Sequence, residues 1–369
     1  MIEPKARVIA FYLPQFHPVP ENDEWWGKGF TEWTSVAKAR PLFPGHEQPK
    51  LPGELGFYDL RIPEVRQRQA ELAREHGIEG FCYWHYWFGN GRRMLERPFM
   101  EVLESGQPDY PFCLGWANHD WIGNAFGAGD RLLIKQTYPG LEDHQRHFDL
   151  LLRVFQDSRY IKVRGKPLFL VYKPYDLPNS KIVFDSWRKM AKEKGLPGLF
   201  IISDNTDISQ DERLGFDGSL VTWHRRISNV CPRLDGFMMK SLRRLNHYFN
   251  RPIRSIGPKP LQRYSYGEAV KYMLKRQYAE NEYPNIVPNW DTTPRLAHNA
   301  VIFEDATPQK FRSHVRDAIN RVSHRDYEDR IIFLRSWNEW AEGNYIEPDE
   351  QYGRQRLEVL RDELFTTSP

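Results

Sequence analysis

Two glutamates three residues apart, Glu339 and Glu342 in Ser336-Trp-Asn-Glu-Trp-Ala-Glu-Gly343, are the pair in this chain best suited to acid–base work. Glycoside hydrolysis uses one protonated carboxyl to meet the leaving oxygen and a second carboxylate on the other side of the sugar, ~5–9.5 Å away depending on stereochemistry. On a continuous strand, residues three apart face opposite ways. A strand that ends near Glu339 and turns at Gly343 brings Glu342 back to the same mouth. Burial among Trp337, Trp340 and Tyr345 raises one pKa, and a donor such as Asn338 keeps the other group ionised.

Other chemistries find less support. There is no Gly-x-Ser-x-Gly elbow, and Cys82, although near His85, sits inside an apolar run. His17, His85, His119 and His224 lack HxxxH or His-x-His spacing, so no metal is expected and sugar hydroxyls are the partners expected of them. Neither GxGxxG nor GxxxxGK[ST] occurs, and the Gly123–Gly129 loop lacks either spacing. No cofactor is expected.

The elements that position these groups follow from periodicity. Eight β-rich runs end in polar or aromatic clusters: Arg7–Gln15, Ile78–Tyr86, Pro111–Asn118, Pro167–Lys173, Leu199–Asn205, Ser219–His224, Asn285–Trp290 and Ile331–Asn338. Helices between them carry end signals: Pro63 opening Glu64–His76, Gly195 closing Ser180–Lys194, Thr307-Pro308, and a capping-box spacing at Ser265–Glu268. Strands alternating with helices imply a parallel sheet, and eight units imply an α/β fold, a single (β/α)8 TIM barrel. The expected organisation is one catalytic domain over residues 1–369, with a long basic insertion, 225–284, between strands six and seven that covers the barrel mouth. A doubly wound sheet is the alternative, but its glycine-rich first turn is missing.

Active sites of such barrels sit at the C-terminal ends of the strands. The expected substrate-binding residues are therefore Tyr12, Gln15, His17, Glu32, Trp33, Tyr83, His85, Trp116, Asn118, Asp120, Tyr172, Asp204, Trp223, His224, Asn289, Trp290, Trp337 and Asn338. Aromatic rings interleaved with Asn, His, Asp and Glu suit a ligand with apolar faces and a rim of hydroxyls, as sugars have.

Composition agrees with a globular chain: 40% hydrophobic and 27% charged residues, and no run approaching the ~18 apolar residues of a membrane span. The N-terminus has no apolar leader-like run and the three cysteines have no ligand spacing, so a cytoplasmic protein with reduced thiols is expected. Net charge is +3, yet Arg225–Arg276 holds 13 Lys/Arg against Asp235 and Glu268 alone. That segment is either a solvated insertion or a contact for an anionic polysaccharide, phosphate or lipid headgroup. No nucleic-acid module is visible, so nucleic acid is not an expected partner, and the sequence is silent on oligomeric state.

Arg7-Val-Ile-Ala-Phe-Tyr-Leu-Pro-Gln-Phe-His17, Glu24-Trp-Trp-Gly27, Gly29-Phe-Thr-Glu-Trp33, Gly80–Trp87 and Ser336–Gly343 together resemble the WbsX-type proteins of bacterial polysaccharide loci, over about residues 7–350. Those proteins are similar to glycoside hydrolase family 99, retaining endo-acting enzymes on α-mannosides with a (β/α)8 fold. The family's Asn-Glu-Trp-His-Glu-Gly matches Asn338–Gly343, with Ala341 in place of His. The resemblance implies Glu342 as general acid/base and Glu339 as the base that deprotonates the sugar's 2-hydroxyl, giving an anhydro-sugar. It also carries the strand-end tyrosines onto Tyr12 and Tyr172. Where WbsX-type chains commonly have Trp-Ala-Asn-Glu-Asn-Trp, this one has Trp116-Ala-Asn-His-Asp-Trp121, which moves a sugar-contacting carboxylate to Asp120 or removes it. The alternative activity is a glycosyltransferase of O-antigen or polysaccharide synthesis with a nucleotide- or lipid-linked donor, although no Asp-x-Asp metal motif supports it. A binding module without catalysis is the non-enzyme alternative.

Overall fold

The computed structural model describes residues 3–123, 131–204, 208–222, 227, 231, 233–234 and 261–366. Eight parallel strands close on themselves: β1 (Arg7–Tyr12), β2 (Ile78–Trp87), β3 (Phe112–Trp116), β4 (Lys166–Val171), β5 (Phe200–Asp204), β6 (Gly218–Val221), β7 (Glu282–Ile286) and β8 (Ile331–Leu334). Closure is made by β1, which pairs with β2 on one side and β8 on the other. The expected (β/α)8 barrel is therefore present.

Each expected run overlaps one strand; most strands end earlier than expected, while β2 runs one residue further, to Trp87. Strand seven runs over Glu282–Ile286 rather than Asn285–Trp290, stopping before Pro288, which has no N–H for a ladder. Helices α1 (Glu32–Lys38), α2 (Pro63–Glu75), α3 (Leu141–Phe155), α4 (Ser180–Glu193), α5 (Tyr266–Leu274) and α6 (Pro308–Val322) surround the wall. Thr307 caps α6 by accepting from Lys310 N. Ser265 stands at the N-cap of α5 without a side-chain hydrogen bond, so the expected capping box is not formed there. One is formed at α1 instead, where Thr31 N donates to Thr34 Oγ1 (3.1 Å), fixing the turn that carries Glu32.

The barrel wall is buried on both faces, inward by Phe11, Phe333 and Trp84 and outward against the helices by Trp116, Trp187 and Phe169. Most of the basic 225–284 insertion, and Trp223 and His224 just before it, lie outside the described residues. Its described end pairs Gln262–Ser265 with Val301–Glu304 and packs Tyr264, Tyr266 and Met273 in a small separate core that includes Trp290. Among the described residues no helix is long and apolar enough to cross a membrane.

Candidate active site

After β8 the chain folds back on itself. Asn338–Glu339 pairs antiparallel with Asn344–Tyr345, and a 3-10 turn, Trp340–Glu342, joins them. Gly343 closes the turn with φ +62°, and a Cβ there would lie 2.6 Å from Asp291 N. Both the left-handed backbone and the close approach require glycine. The turn does what the sequence requires of it: Glu339 and Glu342 open into one cavity.

One guanidinium gathers three carboxylates. Arg295, on the short helix Thr293–Leu296, donates through Nη1 to Glu342 Oε1 (2.5 Å) and through Nη2 to Glu32 Oε1 (2.8 Å) and Glu339 Oε2 (3.2 Å). Thr293 holds that helix by donating from N and Oγ1 to Asp291 Oδ1, while Asp291 N donates to the Glu342 carbonyl. Glu32 Oε1 also accepts from Ala341 N at 3.1 Å, and Trp84 Nε1 donates to Glu339 Oε1 at 3.2 Å. Burial, and then the charge of Glu342, raises the Glu339 carboxyl to about 8 despite Arg295. Burial likewise raises Glu32 against the opposing pull of Arg295. For Arg295 burial alone would lower the pKa, but Glu32, Glu342 and Glu339 outweigh it and raise it. Carboxyl groups with pKa values moved toward neutrality in an open cavity are what proton-transfer chemistry needs.

The cavity has two lobes. An inner lobe of about 370 Å³ is lined by Trp84, Tyr86, Tyr172, Trp290, Arg335 and Glu339 among others. An outer lobe of about 360 Å³ is lined by Asn22, Trp26, Asp120, Trp121 and Leu133 among others. Gln15, His119, Arg295 and Glu342 border both.

Of the residues expected to contact substrate, Gln15, Asp120, Tyr172 and Trp290 line this cavity with Glu339 and Glu342, and Glu32 stands behind them on Arg295. Asp204 lies beneath the floor, accepting from Arg335 Nη1 (3.2 Å) and Thr222 Oγ1. The others face elsewhere. Tyr12 donates to Gln69 on α2 and packs on Tyr83, outside the wall. His85 meets His147 of α3 (2.8 Å), and burial lowers its pKa to about 3. Trp116 packs on His147 and Trp187. Side-chain parity decides these: on β2, Trp84 and Tyr86 point in, so Tyr83 and His85 point out. His17 binds the Pro14 carbonyl and Trp33 the Tyr58 carbonyl, both within the packed first loop. Asn118 ties to Lys173 N and O, Asn289 to the Tyr345 carbonyl, and Asn338 to Leu13 N and O; these are latches between strand ends. Trp337 is core, against Phe81. Trp223 and His224 lie outside the described residues. Of the four histidines that could have met, only His119 among the described ones reaches the cavity, and no group of three potential metal ligands exists among the described residues.

Arg295, Arg335, Trp84, Tyr86 and Trp121 also line the cavity and are not among the site residues expected from sequence. For Arg335 a signal existed, since it immediately precedes the Ser336–Gly343 motif; for Arg295 only its position two residues after Thr293, in the connection following strand seven, could have pointed to it.

The profile of the family described as "Glycosyltransferase WbsX" matches residues 8–360. The chain belongs to this family. The uncharacterized protein WxcX of Xanthomonas campestris pv. campestris is 35% identical in strain B100 and 34% in strain ATCC 33913, in each case over 97% of this chain. The chain spans about half the length of these curated relatives, 50% of each. In fold it is similar to a glycoside hydrolase-like protein (TM-score 0.60, 16% identity, 100% of this chain and 96% of that one). It is also similar to the glycoside hydrolase family 99 endo-alpha-mannosidase from Bacteroides thetaiotaomicron (TM-score 0.54, 15% identity, 97% and 95% covered). At these identities the likeness concerns the barrel, which this WbsX-family chain shares with that hydrolase family.

Proposed function

We propose that this protein is a carbohydrate-active enzyme, a retaining glycoside hydrolase that cleaves α-linked, mannoside-like bacterial polysaccharide with Glu342 as general acid/base and Glu339 as the base for the sugar's 2-hydroxyl. The observation that carries this reading is that Glu342 borders both lobes of the cavity whereas Glu339 borders the inner one alone. A glycosidic bond lying across the junction has its leaving oxygen beside Glu342 and the ring to be attacked beside Glu339. In the first step the C1–O bond breaks, the Glu342 proton passes to the leaving oxygen, and O2 bonds to C1 as its proton passes to Glu339. Water then opens the anhydro-sugar at C1, giving its proton to Glu342, and Glu339 returns its proton to O2. Two inversions leave the configuration retained.

Two features support the division of labour. A carboxylate whose conjugate acid sits at about 8 is a stronger base toward a hydroxyl than an ordinary glutamate. Rings on both sides, Trp84, Tyr86 and Trp290 inside, Trp26 outside and Trp121 bordering both, supply sugar-stacking area. Glu342 is ion-paired to Arg295 across the junction of the two lobes, where the leaving oxygen would lie. The reading treats the barrel as one catalytic domain interrupted by residues 225–284.

A glycosyltransferase is the second reading, favoured by the family's description and by the Arg335 guanidinium, which borders the inner lobe and suits an anionic donor. Product analysis separates them. Wild type and Glu342→Gln are incubated with bacterial surface polysaccharides and α-mannosides without nucleotide sugar. Shorter glycans from wild type, reduced ~10²–10⁴-fold by the substitution, are expected. Turnover only on addition of a nucleotide- or lipid-linked sugar would replace the hydrolase with the transferase.

A further inference from the structure

Two guanidiniums border the inner lobe, and they differ in what remains for a ligand. Arg295 is saturated with charge, bonded to Glu32, Glu339 and Glu342. Arg335 is 6% exposed, and its side chain makes one hydrogen bond among the described residues, Nη1 to Asp204 Oδ2 at 3.2 Å. Its plane is held by rings: the guanidinium carbon lies 5.1 Å from the centroid of Phe11, 5.7 Å from Trp84 and 5.9 Å from Tyr172. Asp204 is fixed in turn by Thr222, which accepts from Asn285 Nδ2 at 3.2 Å. Thus a rigid, desolvated cation stands in the cavity lining with its Nε–H and Nη2–H edge unpartnered among the described residues. That edge is the fork that grips a carboxylate side-on with two parallel hydrogen bonds. A single neutral hydroxyl would engage one of the two donors, without the charge that a carboxylate brings to both.

We propose that Arg335 makes the inner lobe a receptor for an acidic sugar, gripping the carboxylate of a uronic-acid ring through its Nε/Nη2 edge. This rests on the reading of the inner lobe as a sugar site. It refines the substrate from a mannoside-like glycan to one carrying a carboxylate on the ring whose bond is broken. Asp204 pairs with Arg335, the three glutamates share Arg295, and Arg335 also acts electrostatically on Glu339, so carboxylates outnumber guanidiniums here and an incoming carboxylate depends on the donors of the Arg335 edge. The incoming carboxylate meets a guanidinium edge that is unpaired among the described residues.

The test is binding, independent of turnover. Methyl α-D-mannopyranoside, methyl α-D-mannopyranosiduronate and the corresponding 6-phosphate are titrated by NMR into the full chain. The proteins are wild type, Arg335→Lys, and the double variant Arg335→Gln with Asp204→Asn, which avoids leaving a buried carboxylate unpaired. Wild type should bind the uronate about tenfold or more tightly than the neutral mannoside. The preference should shrink in Arg335→Lys, which keeps the charge without the fork, and fall within about twofold in the double variant. Equal binding of uronate and neutral sugar, a stronger response to the phosphate than to the uronate, or a preference surviving both variants would overturn the proposal while leaving the sugar site standing. Binding of none of the three by wild type would remove both readings.

Discussion

Glu339, next to Trp340 in the chain, and Glu347, hydrogen-bonded to the Trp340 indole, are both buried carboxyls raised by burial, to about 8 and about 7. Their surroundings differ in kind. Glu347 accepts from Trp340 Nε1 (2.6 Å), Tyr58 Oη (2.9 Å) and Gln69 Nε2 (2.7 Å), all neutral donors, and Gln69 is itself held by Tyr12. Glu339 shares one guanidinium with two other carboxylates, and one oxygen of Glu32 is buried without a hydrogen-bond partner among the described residues. The Glu347 carboxyl is a hub that fixes the Trp340 ring, which stacks on Tyr345 with centroids 3.7 Å apart. The carboxyls around Arg295 are held in mutual repulsion against an open cavity. A fully satisfied buried network serves position, and an unsatisfied one beside a cavity is where a sequence accepts instability for function.

Breaking the Arg295 cluster at its centre should give the largest effect on stability. Arg295→Met leaves Glu32, which is 0% exposed, without a counter-charge, and removal of one partner from a buried ion pair costs about 3–5 kcal/mol. Urea unfolding at pH 8 should show that loss. At pH 5 it should shrink, because burial already raises the folded-state pKa values of Glu32 and Glu339, and protonated carboxyls no longer repel. An Arg295→Met variant as stable as wild type at pH 8 would mean the three carboxylates do not act as one unit.

A matched pair of leucine substitutions sharpens the contrast, because the two carboxyls should respond with opposite signs. Glu347→Leu strands the Trp340, Tyr58 and Gln69 donors in the core and should destabilise by about 3 kcal/mol. Glu339→Leu should abolish activity but stabilise by on the order of 2 kcal/mol at pH 8. The sign follows from the raised folded-state pKa: the native state favours protonated Glu339, so stability is full below about 4.5 and is lost as pH climbs toward about 8. The gain from Glu339→Leu should therefore vanish by pH 4 in thermal melts. Equal destabilisation by both substitutions across that range would erase the distinction between hub and site.

The sequence made the barrel legible because each strand is a short apolar run between turn signals, and it made the carboxylate pair legible because both members sit in one local motif. Side-chain parity was not legible. In Phe81-Cys-Tyr-Trp-His-Tyr-Trp87 every residue is apolar, aromatic or histidine, since both faces of a barrel wall are buried, and no polar–apolar alternation marks the inside. The sequence points to Tyr83 and His85, whereas Trp84 and Tyr86 line the cavity. Arg295 reaches its carboxylates from a connection with no periodicity, and Glu347 meets Tyr58 and Gln69 across nearly three hundred residues. Contacts of that kind are products of closure, not of spacing.

Parity provides the smallest and most local test. Trp84 and Tyr83 are adjacent on β2, one pointing into the cavity and one against Phe99 and Tyr12. Trp84→Phe removes the indole donor to Glu339, which favoured its ionised form, so the Glu339 pKa should rise further. A base must be deprotonated to act, and the rising limb of kcat/KM should accordingly move to higher pH by roughly half a unit to one unit, with ~3–10-fold lower activity at pH 7. Tyr83→Phe alters only a hydroxyl on the outer face, and both the profile and the activity should stay within about twofold of wild type. A displaced profile in Tyr83→Phe and an unmoved one in Trp84→Phe would reverse the facing of this strand, and with it the assignment of which aromatic residues meet the substrate.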